Sequence, residues 1–234
     1  MNQHTYPTKE LIAGIKAGSP IALGYIPIAI AFGTLAVESK MTVEEAVMMS
    51  LFVFAGASQF MAASMILVGA DAAQIVATTF FVNLRHLIMS MAVNDQFKGF
   101  RKAWRIALSF GITDETFALL TLQADSELRK ATPIFSAGLM GIAYLAWITG
   151  TVIGGLGARI IPPTISTGMG VGLYAMFIGL LVPHVRQSLK IGAVALVSMC
   201  LNAIFQIFFE AGWAIVLATI LGALFGSMNI KGEA

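Results

Sequence analysis

Arg85 and His86 stand side by side inside the apolar run Ala72 to Val93, AAQIVATTFFVNLRHLIMSMAV. A charge at the centre of a bilayer costs at least about 2.5 kcal/mol, so such residues face an interior or a wet cavity. Asn83, His86 and Ser90 recur at i, i+3 and i+7 and share one helical face. The basic loop Gln96 to Arg105 follows, with Lys98, Arg101, Lys102 and Arg105, and Asp114 and Glu115 come after it. Arg85 lies before the loop and the carboxylates after it by similar lengths of chain, so at the helical rise each is roughly 15 Å deep. If the two segments run antiparallel, Arg85 meets Asp114 or Glu115. A buried pair of this kind offsets its desolvation only while both partners are present. It serves either as a coupling or gating site or as a lock between helices. His86 adjoins it, and imidazole is the side chain that exchanges protons most readily near neutral pH; its alternative is a neutral hydrogen bond between helices.

Other chemistry is poorly served. His4 lies near the N-terminus, His184 lies in a loop and Cys200 sits alone in an apolar run, so no metal-ligand spacing exists. The chain has neither a phosphate-binding glycine loop nor a nucleophile beside a base. Neither an enzyme nor a cofactor is expected. Binding groups are better represented. FAGASQF, Phe54 to Phe60, sets Gly56, Ala57 and Ser58 beside Gln59 in the middle of an apolar stretch. Small residues allow close helix packing, or allow the backbone to open where it lines a cavity. In GYIPIAIAFG, Pro27 frees a carbonyl near Leu23 and is expected to kink the first helix. Tyr25, Pro27, Gly56, Ser58, Gln59 and Asn83 are therefore candidate substrate-binding residues, and Arg85, His86, Asp114 and Glu115 candidate coupling or gating residues.

These residues need elements that hold them. With 58% hydrophobic and 11% charged residues, against about 25% charged in an average soluble domain, the chain reads as an all-α polytopic membrane protein. It has the length for a single transmembrane domain over residues 1–234. Stretches of about 20 apolar residues, enough to cross the hydrocarbon core, fall near 19–38, 46–69, 72–93, 106–123, 133–155, 164–183, 190–208 and 210–227. Seven or eight transmembrane segments are expected, some broken or re-entrant. Residues 1–18 read as an amphipathic lead-in rather than a signal peptide. Glu210 reads as an interfacial turn residue, and the glycines from Gly138 to Gly157 as helix contacts.

Loop charge sets a further condition, because Lys and Arg favour the cytoplasmic side. Gln96 to Arg105, the linker with Arg129 and Lys130, and Pro183 to Lys190 cannot all be cytoplasmic if every stretch crosses once. Something between them fails to cross, and Ile106 to Gln123 is the weakest span. A faint echo of the first motifs, Tyr174-Ala175 followed by Asn202, suggests inverted three-helix repeats over 19–93 and 133–209, a plan common in secondary transporters.

GYIPIAIAFG, FAGASQF, NLRH (Asn83 to His86) and TDETFAL (Thr113 to Leu119), in this order in a chain of this length, resemble the AzlC family of branched-chain amino acid permeases. The motifs cover the first half closely, and the second half matches in hydropathy and glycine pattern. The family often has an aromatic hydroxyl where this chain has Met89. The resemblance implies export of leucine, isoleucine, valine and in some members methionine across the bacterial inner membrane. It implies too a small hydrophobic partner subunit of the AzlD type. Proton coupling, and a substrate held near the midplane, are the expected mechanism. The alternatives are a structural or assembly subunit and a passive channel for another small solute.

Overall fold

Ten helices, α1 (Pro7–Glu38), α2 (Val43–Phe52), α3 (Gly56–Leu67), α4 (Ala72–Asn94), α5 (Lys102–Ser109), α6 (Asp114–Ala124), α7 (Pro133–Gly157), α8 (Pro163–Gln187), α9 (Leu189–Phe208) and α10 (Ala211–Asn229), make up the regular structure among the described residues. The computed structural model describes residues 7–124, 132–209 and 211–229. The readings placed on His4, Arg129, Lys130 and Glu210 lie outside them.

α1 is one unbroken helix of 32 residues that runs through Pro20 and Pro27. The kink expected at Pro27 does not end the helix. α7 lies along it at backbone distance, and burial against a neighbouring helix lets a membrane helix tolerate proline. A Cβ on Gly14 would meet Phe135 and Leu139, one on Gly18 would meet Leu139 and Ile142, and one on Gly33 would meet Thr151 and Gly155. From the other side, Gly150 and Gly154 press on Ile26 and Ile30. Residue numbers rise together along the two helices, so α1 and α7 are parallel. We call the end of the bundle where both begin the near end, and the other the far end.

The remainder of the first half is two helical hairpins. α2 starts at the far end, its first turn closed by a capping box in which Thr42 Oγ1 accepts from Glu45 N and Glu45 Oε2 accepts from Thr42 N. It descends beside α7, with Val43 against Gly155 and Ser50 against Thr151. At Val53–Ala55 the chain reverses. α3 climbs back, since Phe54 packs on Tyr25 and Phe60 on Phe32. Gly69, at φ 76, turns the chain into α4, whose N-cap Asp71 accepts from Gln74 N at 2.9 Å. α4 descends to the near end. There α5 begins, with Arg105 hydrogen-bonded to Asn94. α5 rises until Phe110 stacks on Phe54, ring centroids 6.4 Å apart. α6 then returns toward the near end, where Thr132, the N-cap of α7, donates to Glu10 of α1 at 2.7 Å.

The two stretches read from sequence as the second and fourth spans, 46–69 and 106–123, are therefore hairpins that enter from opposite ends and touch at their tips. Four helices, α1, α4, α7 and α9, are long and apolar enough to cross a bilayer by length and composition among the described residues, against the seven or eight crossings expected. The unit that recurs in opposite sense is a long helix followed by a hairpin, α1–α3 and then α4–α6. Units over 19–93 and 133–209 would open with α1 and α7 antiparallel, and these are parallel. α9 and α10 pack antiparallel, with Gly222 against Ser198 and Gly226 near Val194, and Gly212 at the start of α10 rests on Thr78 and Met65.

The glycine contacts between α1 and α7 carry a measurable consequence. A Cβ at Gly154 would lie 2.0 Å from the Ile30 carbonyl oxygen, whereas Gly24 and Gly141 have nothing within 4 Å. Gly154→Ala lowers the thermal midpoint of the purified protein in detergent. Gly24→Ala and Gly141→Ala leave it equal or higher, since alanine favours a helix by about 1 kcal/mol over glycine.

Candidate functional site

Each hairpin tip breaks a helix in mid-bundle, and each new helix N-terminus leaves amide groups without an intrahelical acceptor. At the first tip the neighbouring side chains take part of that load. Gln59 Oε1 accepts from Ala55 N at 3.2 Å and from Trp147 Nε1 at 3.0 Å, and Gln59 Nε2 donates to Ser50 Oγ at 3.0 Å. Ser50 Oγ is also 2.8 Å from Thr151 Oγ1, and Tyr144 donates to the Leu51 carbonyl at 2.7 Å. Tyr144, Trp147 and Thr151 fall at i, i+3 and i+7 on α7, so one helix face fastens the whole tip. Gln59 is fully buried and Trp147 nearly so. Ser58 donates to the Ala55 carbonyl at 2.9 Å. Gly56 is bare because a Cβ there would stand 2.8 Å from the Trp147 ring. Phe54, at φ 42, adopts a backbone conformation that non-glycine residues rarely take. Its ring is held by Tyr25, Phe110 and Tyr144.

The second tip is fastened by charge. Thr113 and Thr116 cap α6 reciprocally, with Thr113 N donating to Thr116 Oγ1 at 2.8 Å and Thr116 N to Thr113 Oγ1 at 3.3 Å. Asp114 and Glu115 occupy the first turn, where the positive end of the helix dipole favours carboxylates. Arg85 Nη1 of α4 lies 2.9 Å from Asp114 Oδ2, and both side chains are mostly shielded. Tyr25 of α1 donates to Glu115 Oε2, and its oxygen is 2.8 Å from Thr113 Oγ1. Glu115 Oε1 and His86 Nδ1 are buried without a hydrogen-bond partner.

Between the tips lies a cavity of about 20 Å³, lined by Tyr25, Phe54, Ala55, Gly56, Ala57, Arg85, His86, Thr113, Asp114, Glu115 and Trp147. That is room for about one water-sized group. The N-termini of α3 and α6 both open onto it. On the other side of the Phe54 and Phe110 rings, an apolar groove of about 280 Å³ is lined by Trp104, Leu108, Phe110, Met140 and Tyr144, among others. A charged pocket thus adjoins an apolar one, with stacked aromatic rings at the boundary.

Among the sequence candidates, the structure brings Tyr25, Gly56, Arg85, His86, Asp114 and Glu115 to this cavity. It does not bring Pro27, Ser58, Gln59 or Asn83 to its lining. Ser58 and Gln59 spend the side-chain hydrogen bonds named above on the tip itself. Asn83 faces elsewhere on α4, with a buried Oδ1 that has no partner. Sequence reasoning missed Thr113, Trp147 and the fasteners Ser50, Tyr144 and Thr151. Two signals were present: the T-x-x-T spacing of a reciprocal cap, and polar side chains at i, i+3 and i+7 in an otherwise apolar, glycine-rich helix. Among the described residues no group of His, Cys, Asp and Glu is placed to hold a metal ion.

Whether the ion pair is a lock or a working part can be separated by paired variants. Arg85→Met leaves Asp114 without its cation and should cost up to about 3 kcal/mol of stability, the low end for a buried pair because both side chains are partly exposed. Arg85→Met combined with Asp114→Leu removes both charges and should recover most of that loss. Thermal midpoints in detergent check the stability, and solute transport in cells stays lost in both variants. Transport that returns together with stability would make the pair a lock only.

Comparison with known proteins places the chain. A protein from Archaeoglobus fulgidus described as an uncharacterized membrane protein is 34% identical over 196 residues, covering 81% of this chain and 84% of its own. The inner membrane protein YgaZ of Escherichia coli is 28% identical, covering 84% of this chain and 91% of its own. The branched-chain amino acid transport protein AzlC of Bacillus subtilis is 26% identical, covering 67% of this chain and 62% of its own. No solved structure matches the chain. The model of the family described as AzlC protein matches residues 20–161, a stretch that contains both hairpins and every residue lining the cavity. This membrane protein belongs to the AzlC family.

Proposed function

We propose that this chain is the large subunit of a secondary transporter that exports leucine, isoleucine, valine and methionine across the bacterial inner membrane. The observation that carries the reading is the division of the site. A zwitterion needs polar partners for both of its charges once stripped of water, and the cavity offers cationic Arg85, acidic Asp114 and Glu115, and two helix N-termini within one small space. A branched aliphatic side chain needs the opposite, which the groove behind Phe54 and Phe110 supplies. Half-helix N-termini aimed at an anionic group from opposite sides of the bilayer recur in transporters of this general kind. The name of the Bacillus subtilis relative gives the substrate class independent support.

In the membrane, α1, α4, α7, α8, α9 and α10 cross, and the two hairpins enter without crossing. This arrangement answers the charge conflict in the sequence. With the hairpins re-entrant, Lys98, Arg101, Lys102 and Arg105 share the near end with Lys9 and Lys16, and a descending α8 adds Arg186 and Lys190. The far-end turns hold Lys40, Arg159 and several acids, Glu38, Glu44, Glu45 and Asp71. The near end is therefore cytoplasmic by the positive-inside rule.

Access would alternate by parting of the tips. The space between them is far smaller than an amino acid, so entry from either side requires a tip to withdraw. The first tip is tied to α7 by neutral, buried hydrogen bonds. The second is tied to α1 and α4 through ionisable groups, and protonation or ligand binding can change those ties. The cytoplasmic hairpin α5–α6 is thus the moving gate, and the α2–α3 hairpin the fixed abutment. Apolar residues on the outer face of α4, Val76, Phe80, Leu84, Leu87, Ile88 and Met91, are exposed and meet lipid or the small AzlD-type subunit.

Efflux of labelled amino acids from preloaded bacterial cells tests the function. Saturable efflux of leucine, isoleucine, valine and methionine is expected when this chain and its small partner are produced together, and Gly56→Leu, which drives a side chain into Trp147, should abolish it. Efflux no faster than in cells lacking both proteins, with membrane insertion confirmed, would refute the reading.

A further inference from the structure

We infer that Glu115 is a single carboxylate for which a proton and the α-ammonium of the substrate compete, so that each amino acid exported returns one proton. The inference rests on the export reading above and deepens it. Two carboxylates stand at the cavity, and the structure gives them different work. Asp114 is already matched by the Arg85 guanidinium at 2.9 Å. Glu115 has a phenol rather than a cation on Oε2, and its Oε1 is buried at the cavity with no hydrogen-bond partner. A carboxylate in that position is left with half of its acceptor capacity unused on a buried oxygen, a costly arrangement unless a cation or a proton arrives.

The surrounding groups leave this part to Glu115. Tyr25 reaches it from α1, Arg85 and His86 face the cavity from α4, and Asp114 precedes it on α6. The lining from the first tip and from α7 consists of Phe54, Ala55, Gly56, Ala57 and Trp147, none of them titratable. Arg85 is engaged by Asp114, and His86, whose Nδ1 is also unpartnered at the cavity, offers a lone pair but no negative charge to balance an ammonium. Glu115 is the one described side chain of the lining whose charge either a proton or an ammonium can neutralise while Asp114 stays paired.

Charge bookkeeping then follows. In the return state Glu115 is a neutral acid. In the loaded state its proton has left to the cytoplasmic solvent, and the substrate's ammonium sits against the carboxylate. The substrate's own carboxylate lies toward the N-terminus of α3, whose first residues line the cavity. A zwitterion adds no net charge, so the loaded site carries one more negative charge outward than the protonated site carries back. One cycle moves one proton and one positive charge inward for each amino acid exported, and an inside-negative potential as well as an inward proton gradient drives export.

The test is binding of labelled leucine to the purified full chain, together with its small partner where binding requires it, across pH. In the unaltered protein the half-saturating concentration should be level at high pH and rise toward acid, approaching about tenfold per pH unit once the unloaded carboxylate is protonated, with the maximum unchanged, as competition by one proton demands. Glu115→Gln should bind weakly and without that slope, Glu115→Asp should restore the slope, and His86→Gln should keep it. Leucinol, which has the ammonium and lacks the carboxylate, should displace leucine, whereas isocaproate, which lacks the ammonium, should not. Saturable binding with no pH slope, a slope that survives in Glu115→Gln, or displacement by isocaproate as effective as by leucine would overturn the inference and leave the export reading standing. Absence of binding for all four amino acids in the unaltered protein would overturn both.

Discussion

A helix that stops in the middle of a bundle leaves amide groups pointing at nothing, and in an apolar bilayer such groups must be satisfied inside the protein. This chain stops two helices in that way, at Val53–Ala55 and between Ser109 and Asp114. Much of the first half follows from how those ends are met. The glycine contacts between α1 and α7 bring the two helices to backbone distance, which places Tyr25 on one side and Trp147 on the other within reach of both tips. The rings of Tyr25 and Trp147 stand 5.3 Å apart, edge to face, and the cavity forms beside them. Small residues thus act at a distance: the bare faces of Gly33, Gly150 and Gly154 are a condition for the position of the phenol that holds Glu115.

The two tips are built from different materials. Amides, hydroxyls and an indole fasten the first, a network whose members satisfy one another and keep the same charge at any ordinary pH. A guanidinium, two carboxylates and a phenol fasten the second. The first network is costly to break because each deletion strands a buried partner. The second is held by groups that carry or can carry charge. This asymmetry gives a physical reason for one hairpin to hold still while the other responds, on a plan whose two halves are otherwise alike in order, a long helix followed by a hairpin.

Much of this was legible in the sequence, and the losses have particular causes. The apolar runs marked nearly every helix-bearing segment, and the depth argument from helical rise paired Arg85 with an acid across α4 and α6. FAGASQF left two readings open, close packing or an opened backbone, and the chain does reverse there, yet Gln59 and Ser58 were assigned outward to a ligand when their hydrogen bonds turn inward to hold the break. A sequence shows that an amide side chain is buried, and it does not show which buried partner is waiting. The direction of a hairpin is only partly legible: loop charge marked 106–123 as the weakest span, but 46–69 has the length of a span, and only contacts such as Phe60 with Phe32 reveal its reversal. The repeat bounds were misjudged for the same reason, because the order of a long helix followed by a hairpin shows only once the reversals at Val53–Ala55 and between Ser109 and Asp114 are seen. Proline misled as well. Pro27 offers a place to break the helix on local grounds, and with α7 packed at backbone distance α1 continues through it.

The claim on which the account stands is that both hairpins return to the end from which they enter. Single cysteines placed in a Cys200→Ser chain, probed in intact cells and in inverted vesicles with a membrane-impermeant thiol reagent, test it directly. Cysteines at Lys40 and Asp71, which flank the first hairpin, should both react from the outside, and cysteines at Lys98 and Thr132, which flank the second, should both react from the cytoplasmic side. Reaction of the Lys40 and Asp71 positions from opposite sides of the membrane would contradict it, for the α2–α3 segment would then cross and the two tips could not meet.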